Sequence, residues 1–244
     1  MRAIVVGASA GVGRALAEAL AADGAALLLV ASDLQDLEAN AMHLRLSYNV
    51  DVYVLAVDAT NLAEYLAQVS HAIASFGAVD SVFFPIGVSY AEDCGLLSLD
   101  QICALINSNL TAVISLTTQL LPQLLDRHAA NIVGFGSIAA IRGRRSNMVY
   151  SAAKRGLESY FESLRHATVH SQVRIQFYRL GYVATQQSFG QRLLFPVVSP
   201  QQVAKAVIAN LNKDLGKVFF PGYWTFVALA VSWLPWHFYK KLNF

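Results

Sequence analysis

Seven times, or nearly so, a short apolar run in this chain gives way to a stretch of helical periodicity. The runs are Ala3–Val6, Ala26–Ala31, Val50–Val57, Val79–Ile86, Asn131–Phe135, Val173–Tyr178 and Val218–Phe220. Helical patterns close at Gly24, run through Leu62–Phe76 to Gly77, and cover Leu99–Leu125, Val149–Thr168 and Pro200–Leu211. A further helix opens at Ser32-Asp33-Leu34-Gln35, which reads as a capping box. A run such as ALLLVA, apolar without alternation, suits a parallel strand covered on both faces. Strand–helix alternation of this kind predicts an α/β fold, a doubly wound parallel sheet with right-handed crossovers. A chain of 244 residues, 55% hydrophobic and 14% charged, is enough for one sizeable core. No repeat, linker or compositional break interrupts it before residue 215. We therefore expect one domain over 1–216 and an apolar, aromatic C-terminal tail over 217–244.

Charge excludes one class of partner. Eighteen basic and sixteen acidic residues leave a net +2 with no run of five like charges, so no nucleic-acid footprint is present. Cys94 and Cys103 lack metal-ligand spacing and read as reduced thiols of an intracellular protein, with no metal site. The N-terminus enters a strand and a glycine turn directly, too soon for the apolar segment of a signal peptide. The expected location is cytoplasmic.

The first strand runs into Gly7-Ala8-Ser9-Ala10-Gly11-Val12-Gly13, where a helix opens. Glycines here let the backbone turn tightly and bring its N–H groups against a pyrophosphate at the helix N-terminus. Glycines also merely end strands, and the spacing is G-x-x-x-G-x-G; the commoner G-x-G-x-x-G fails at Leu16. After the first strand of a repeating β-α pattern, the turn points to a Rossmann-type dinucleotide site cradled by Gly7, Ser9, Ala10, Gly11, Val12 and Gly13.

A second cluster lies between Ser137 and Lys154. Tyr150 and Lys154, four apart on a predicted helix, share a face, and an ammonium beside a phenol favours its ionisation. Ser137, at the end of the preceding strand, brings a hydroxyl to the same space. Such a group can pass a proton to or from a carbonyl or alcohol oxygen.

Together, G-x-x-x-G-x-G and Ser137…Tyr150-x-x-x-Lys154 resemble the short-chain dehydrogenase/reductase family across nearly the whole chain. The resemblance implies an NAD(P)-dependent oxidoreductase in which Tyr150 exchanges the proton, Lys154 lowers its pKa and holds the nicotinamide ribose, and Ser137 orients the carbonyl. Asn109 matches the fourth catalytic residue, which holds a water, and Asp58 matches the acid contacting adenine. Ala59, Gly87, Gly181, Val183 and Thr185 match further cofactor positions, Thr185 near the carboxamide. The chain departs from the family at Val6, usually threonine, at Phe84-Pro85-Ile86-Gly87, usually Asn-Asn-Ala-Gly, and at Leu180-Gly181, usually Pro-Gly. Members usually pair through the long helices, which implies a homodimer or homotetramer. A non-catalytic dinucleotide-binding protein, sensing redox state or recruited to membranes, is the competing reading; degenerate members should lose Tyr or Lys first, and both remain.

NADP(H) is favoured over NAD(H). By alignment with the family, Ala31 and Ser32 occupy the tip of the second strand, where a carboxylate would bind the ribose of NAD and repel the phosphate of NADP. Asp33 reads as a first-turn acid favouring the helix dipole, and Arg14 is placed to reach a phosphate, with a plain exposed arginine as the alternative.

Two features bear on the substrate. Arg142-Gly143-Arg144-Arg145 fills the loop before Tyr150, and Arg144 and Arg145 suit phosphate or carboxylate; solvated loop charges or a subunit salt bridge are the other reading. The tail, FFPGYWTFVALAVSWLPWHFYKKLNF, carries an apolar core from Trp224 to Trp236, short of the ~20 residues that span a bilayer. Its tryptophans and Lys240-Lys241 suit the inner face of a membrane; packing on the body, covering a pocket or meeting a dimer partner are the alternatives. Loop and tail are similar to a subgroup of reductases acting on decaprenylphosphoryl-2-keto-erythro-pentose, which implies a lipid-linked keto-sugar. Another hydrophobic ketone fits the tail equally well.

Overall fold

The computed structural model describes residues 1–185 and 195–241. Seven parallel strands form one sheet: β1 (Arg2–Val6), β2 (Ala26–Ala31), β3 (Val52–Ala56), β4 (Ser81–Phe84), β5 (Ala130–Ser137), β6 (Val173–Leu180) and β7 (Gly216–Phe220). Their order is β3-β2-β1-β4-β5-β6-β7. The helices are α1 (Gly11–Ala22), α2 (Leu34–Tyr48), α3 (Leu62–Phe76), α4 (Leu99–Ile106), α5 (Ala112–Leu125), α6 (Met148–Ala167), α7 (Pro200–Asn210), α8 (Trp224–Trp233) and α9 (Trp236–Tyr239).

The apolar runs work as predicted because successive strand residues face opposite ways. β1 sends Ala3 and Val5 to a core shared with α1, α2 and α7, and Ile4 and Val6 to a second core shared with α3, α5 and α6. The chain reverses its winding between β1 and β4, which opens a crevice at their carboxyl ends, the usual ligand position in such sheets.

Several boundaries differ from the sequence reading. β5 runs on to Ser137 because its whole length pairs with β6, Ser137 opposite Leu180. Gly134 and Gly136 disguise it as the end of a strand. A Cβ at either would stand 2.5 Å from the Phe161 or Phe177 ring, so the aromatics demand glycine. The helix over 99–125 is continuous but carries a π-helical segment, Asn107–Thr111, between α4 and α5. The expected capping box at Ser32 does not form. α2 starts at Leu34, and the Asp33 carboxylate accepts the Asp36 amide at 2.9 Å. True capping boxes occur at Ser98/Gln101 and Ser199/Gln202. Finally, β7 pairs with β6 from Gly216 to Phe220, so the boundary expected at 216/217 cuts a strand of the sheet. Residues 242–244 of the expected tail lie outside the described residues.

Candidate active site

The crevice is a cleft of about 440 Å³ at the carboxyl ends of the strands. Val6, Gly7, Ser9, Ala10, Gly11 and Val12 line it at one side. Gly7 has φ +94°, and its amide donates to the Val30 carbonyl at 2.7 Å, turning the chain sharply off β1. A Cβ on Gly13 would stand 1.9 Å from the Gly7 oxygen, so α1 can start this close only with glycine. Ala10, the residue before α1, offers no side-chain cap. The first-turn N–H groups of α1 therefore have no side-chain acceptor from that position, the arrangement that receives an anion at a helix start. Ala31, Ser32, Asp58 and Ala59 line the cleft on one flank, and Gly87, Gly181, Val183 and Thr185 elsewhere along it. A cradle closed to any added Cβ at Gly13, continuous with a long cleft, fits a dinucleotide.

Gly13 itself supports the cradle from behind, and Arg14 lies outside the lining. The Arg14 guanidinium donates to the Ser9 carbonyl at 2.6 Å and to the Asp36 carboxylate at 3.0 Å. Asp33 is consumed as the cap of α2. The lining at the tip of β2 thus consists of Ala31 and Ser32, without a carboxylate.

Ser137, Tyr150, Lys154 and Arg144 converge on the cleft. Lys154 is 3% exposed, and its ammonium donates to the carbonyls of Ile86 at 2.9 Å and Phe135 at 3.3 Å. Burial pulls its pKa down to about 8. The same burial pushes the Tyr150 phenol up, opposed by the Ser137 hydroxyl and then by the Arg144 guanidinium. The lysine's nitrogen is 5.9 Å from the Tyr150 ring centre and directed at carbonyls, so here the serine and arginine supply the downward pull expected of the lysine. The Arg144 Nε is buried and lacks a hydrogen-bond partner among the described residues. Arg145 is exposed and outside the lining.

Asn109 sits inside the π-helical segment, fully buried. Single π turns inside helices mark functional positions. Its carboxamide donates to the carbonyls of Val88 at 2.8 Å and Leu105 at 3.0 Å and accepts the Val88 amide at 3.2 Å. These bonds brace the segment after β4 behind Gly87; Asn109 is not itself part of the lining, whereas Ser108 is.

Two features escaped the sequence reading. The Asp93 carboxylate accepts the amides of Val149 and Tyr150, each at 2.9 Å. Arg142 turns away from the cleft towards the tail, donating to the carbonyls of Val231 at 3.0 Å and of Leu234, its guanidinium 4.0 Å from the Tyr239 ring centre. Tyr239 in turn donates to the Gly143 carbonyl at 2.8 Å. No local signal announces either, because each joins segments more than fifty residues apart.

A family model described as short chain dehydrogenase matches residues 1–192. An uncharacterized oxidoreductase of Mycobacterium tuberculosis is similar at 27% identity over 239 residues, 98% of this chain and 96% of that protein. The ketoacyl reductase HetN of a Nostoc species is 29% identical over 220 residues, 88% of this chain and 76% of that one. A solved short-chain dehydrogenase from Sphingobium yanoikuyae, in complex with NADPH, shares the fold with a TM-score of 0.83 at 22% identity, covering 99% of this chain and 96% of the other. With the glycine cradle and the Ser137, Tyr150 and Lys154 cluster in one cleft, this chain belongs to the short-chain dehydrogenase/reductase family of NAD(P)-dependent oxidoreductases.

Proposed function

We propose that the protein interconverts a ketone and a secondary alcohol, with NADP(H) as cofactor and an anionic, lipid-linked keto-sugar as substrate class. The observation that carries the reaction is the convergence of Ser137, Tyr150 and Lys154 on the cleft that the glycine turn opens. The dinucleotide supplies or accepts the hydride. In reduction, Tyr150 donates its phenolic proton to the oxygen of the substrate; in oxidation it removes that proton. Ser137 orients the oxygen, while Lys154, anchored on two carbonyls, sets a fixed positive charge and meets the nicotinamide ribose. Asn109 holds the segment that carries Ile86, the nearer anchor of Lys154, and the water relay runs past it.

The choice of NADP(H) rests on a β2 tip lined by Ala31 and Ser32 and on Asp33 being committed to its helix. Arg144, cleft-lining and with an Nε that has no hydrogen-bond partner among the described residues, is the group for a phosphate or carboxylate. The long helix over 99–125 is apolar, and much of its surface is left uncovered within one chain, which favours pairing with a second copy through α4, α5 and α6. The tail's outer face is the peripheral membrane contact.

Tyr150→Phe tests the reaction. Turnover of diacetyl with NADPH should fall at least 100-fold, the order of a lost general acid, while NADPH still quenches protein fluorescence at wild-type concentrations. Turnover within a few fold of wild type would refute Tyr150 as the proton donor.

A further inference from the structure

The helix that carries Tyr150 and Lys154 begins without a cap of its own. Asn147, the residue before α6, has φ +55° and makes no side-chain bond to the helix. A helix start leaves its first amides needing acceptors. At α6 they are supplied by one residue of the segment between β4 and α4. The Asp93 backbone carbonyl accepts the Met148 amide at 3.2 Å, and its two carboxylate oxygens accept Val149 and Tyr150 at 2.9 Å each. Asp93 is 1% exposed, and among the described residues it forms no salt bridge. A buried carboxylate is costly unless hydrogen-bonded, and the positive end of α6 is what it is bonded to.

We propose that Asp93 is the positioning residue of Tyr150, fixing where the phenol starts along and around the helix axis. This rests on the reading of Tyr150 as the proton donor. Tyr150's own amide is one of the three bonds, so a slip of α6 by one residue would break all of them. The same segment, between β4 and α4, also presents the Ile86 carbonyl to Lys154. It therefore grips the helix twice, at the start through Asp93 and one turn later through Lys154. A cap that served stability alone could sit at position 147. Placed at 93, it ties the phenol to the wall that holds the lysine.

The test compares Asp93→Asn and Asp93→Ala with wild type and Tyr150→Phe, well below every melting midpoint. For NADPH-dependent reduction of diacetyl, kcat should fall a few fold in Asp93→Asn, which keeps one acceptor oxygen. It should fall about 10- to 100-fold in Asp93→Ala, the order expected of a reacting group displaced by about 1 Å. The KM for NADPH should stay within two-fold in both. Wild-type kcat in a less stable Asp93→Ala protein, or equal losses in kcat and cofactor affinity, would overturn the proposal. Amide exchange of residues 148–154 in the NADPH complex gives a second readout independent of turnover. Protection in Asp93→Ala equal to wild type would also overturn it. An active Tyr150→Phe enzyme would instead sink the acid–base reading, a result separable from failure of the Asp93 variants.

Discussion

Lys154 is asked to stay charged in a place that disfavours charge. Its pKa falls from 10.5 to about 8 on burial, so between those values the folded protein holds fewer protons than the unfolded chain. Stability of the cofactor-free protein should therefore gain from this residue as pH rises from about 8 towards 10.5. Below pH 8 both states are protonated and the burial penalty is felt in full. Urea midpoints at pH 7.5 and 9.5 should rise more, or fall less, in wild type than in Lys154→Met; identical pH dependence in the two would contradict the assignment. Subtracting the variant removes the background from other titrating groups, such as Tyr178, whose burial lifts it to about 12. The place of this lysine beside Tyr150 in the cleft was legible in the sequence because residues four apart on a helix share a face. Gly13 was legible too, since the Gly7 oxygen leaves no room for a Cβ. Arg144's influence on Tyr150 was visible only as a charge in a loop. Its reach into the cleft depends on how the loop folds.

Among the elements, α6 joins site and scaffold. Its middle is fixed by Glu158, whose buried carboxylate accepts Arg179 Nε at 2.6 Å, a second bond from the same guanidinium, and the Lys217 ammonium at 3.1 Å. These bonds tie the helix to β6 and β7. Removing one partner strands a buried charge, so Glu158→Ala should cost about 3–5 kcal/mol of unfolding free energy. The companion Glu158→Ala/Arg179→Met should recover part of that loss. If the single variant costs less than about 1 kcal/mol, the range of an exposed pair, the buried pair is not holding the helix. Sequence periodicity found α6 to within a residue at each end, because twenty residues of apolar spacing overwhelm local noise. It read straight through the π segment around Asn109. One extra residue in a turn barely shifts an apolar stripe, although it changes which side chain faces the segment after β4.

For the whole molecule, the open question is what the tail does beyond the sheet. Its inner side is committed. Trp224 is buried, its indole against Gly181, and rings from both sides of the 186–194 segment, Tyr182 and Phe195, pack on it at 5.3 and 4.8 Å. Arg142 and Tyr239 bind the tail to the loop before Tyr150. The outer side exposes Phe226, Leu229, Trp233, Trp236 and Phe238, with Trp233 83% exposed. An apolar patch of this kind marks an interaction surface. No acidic residue follows Asp214, whereas Lys240 and Lys241 border the aromatics, the composition that the proposed contact with an anionic lipid surface requires. Deleting the tail would confound the test, because it would also release Arg142 and uncover Gly181. Phe226→Ser with Trp233→Ser removes two exposed rings and none of the residues that make those inner contacts. Wild type should sediment with phosphatidylcholine vesicles containing phosphatidylglycerol, more weakly with phosphatidylcholine alone. The double variant should lose most binding while keeping wild-type kcat on diacetyl. Binding unchanged in that variant would remove the membrane from the tail's role. A shift of wild type, but not the variant, to a larger species in vesicle-free buffer would assign the same aromatics to a second copy of the chain.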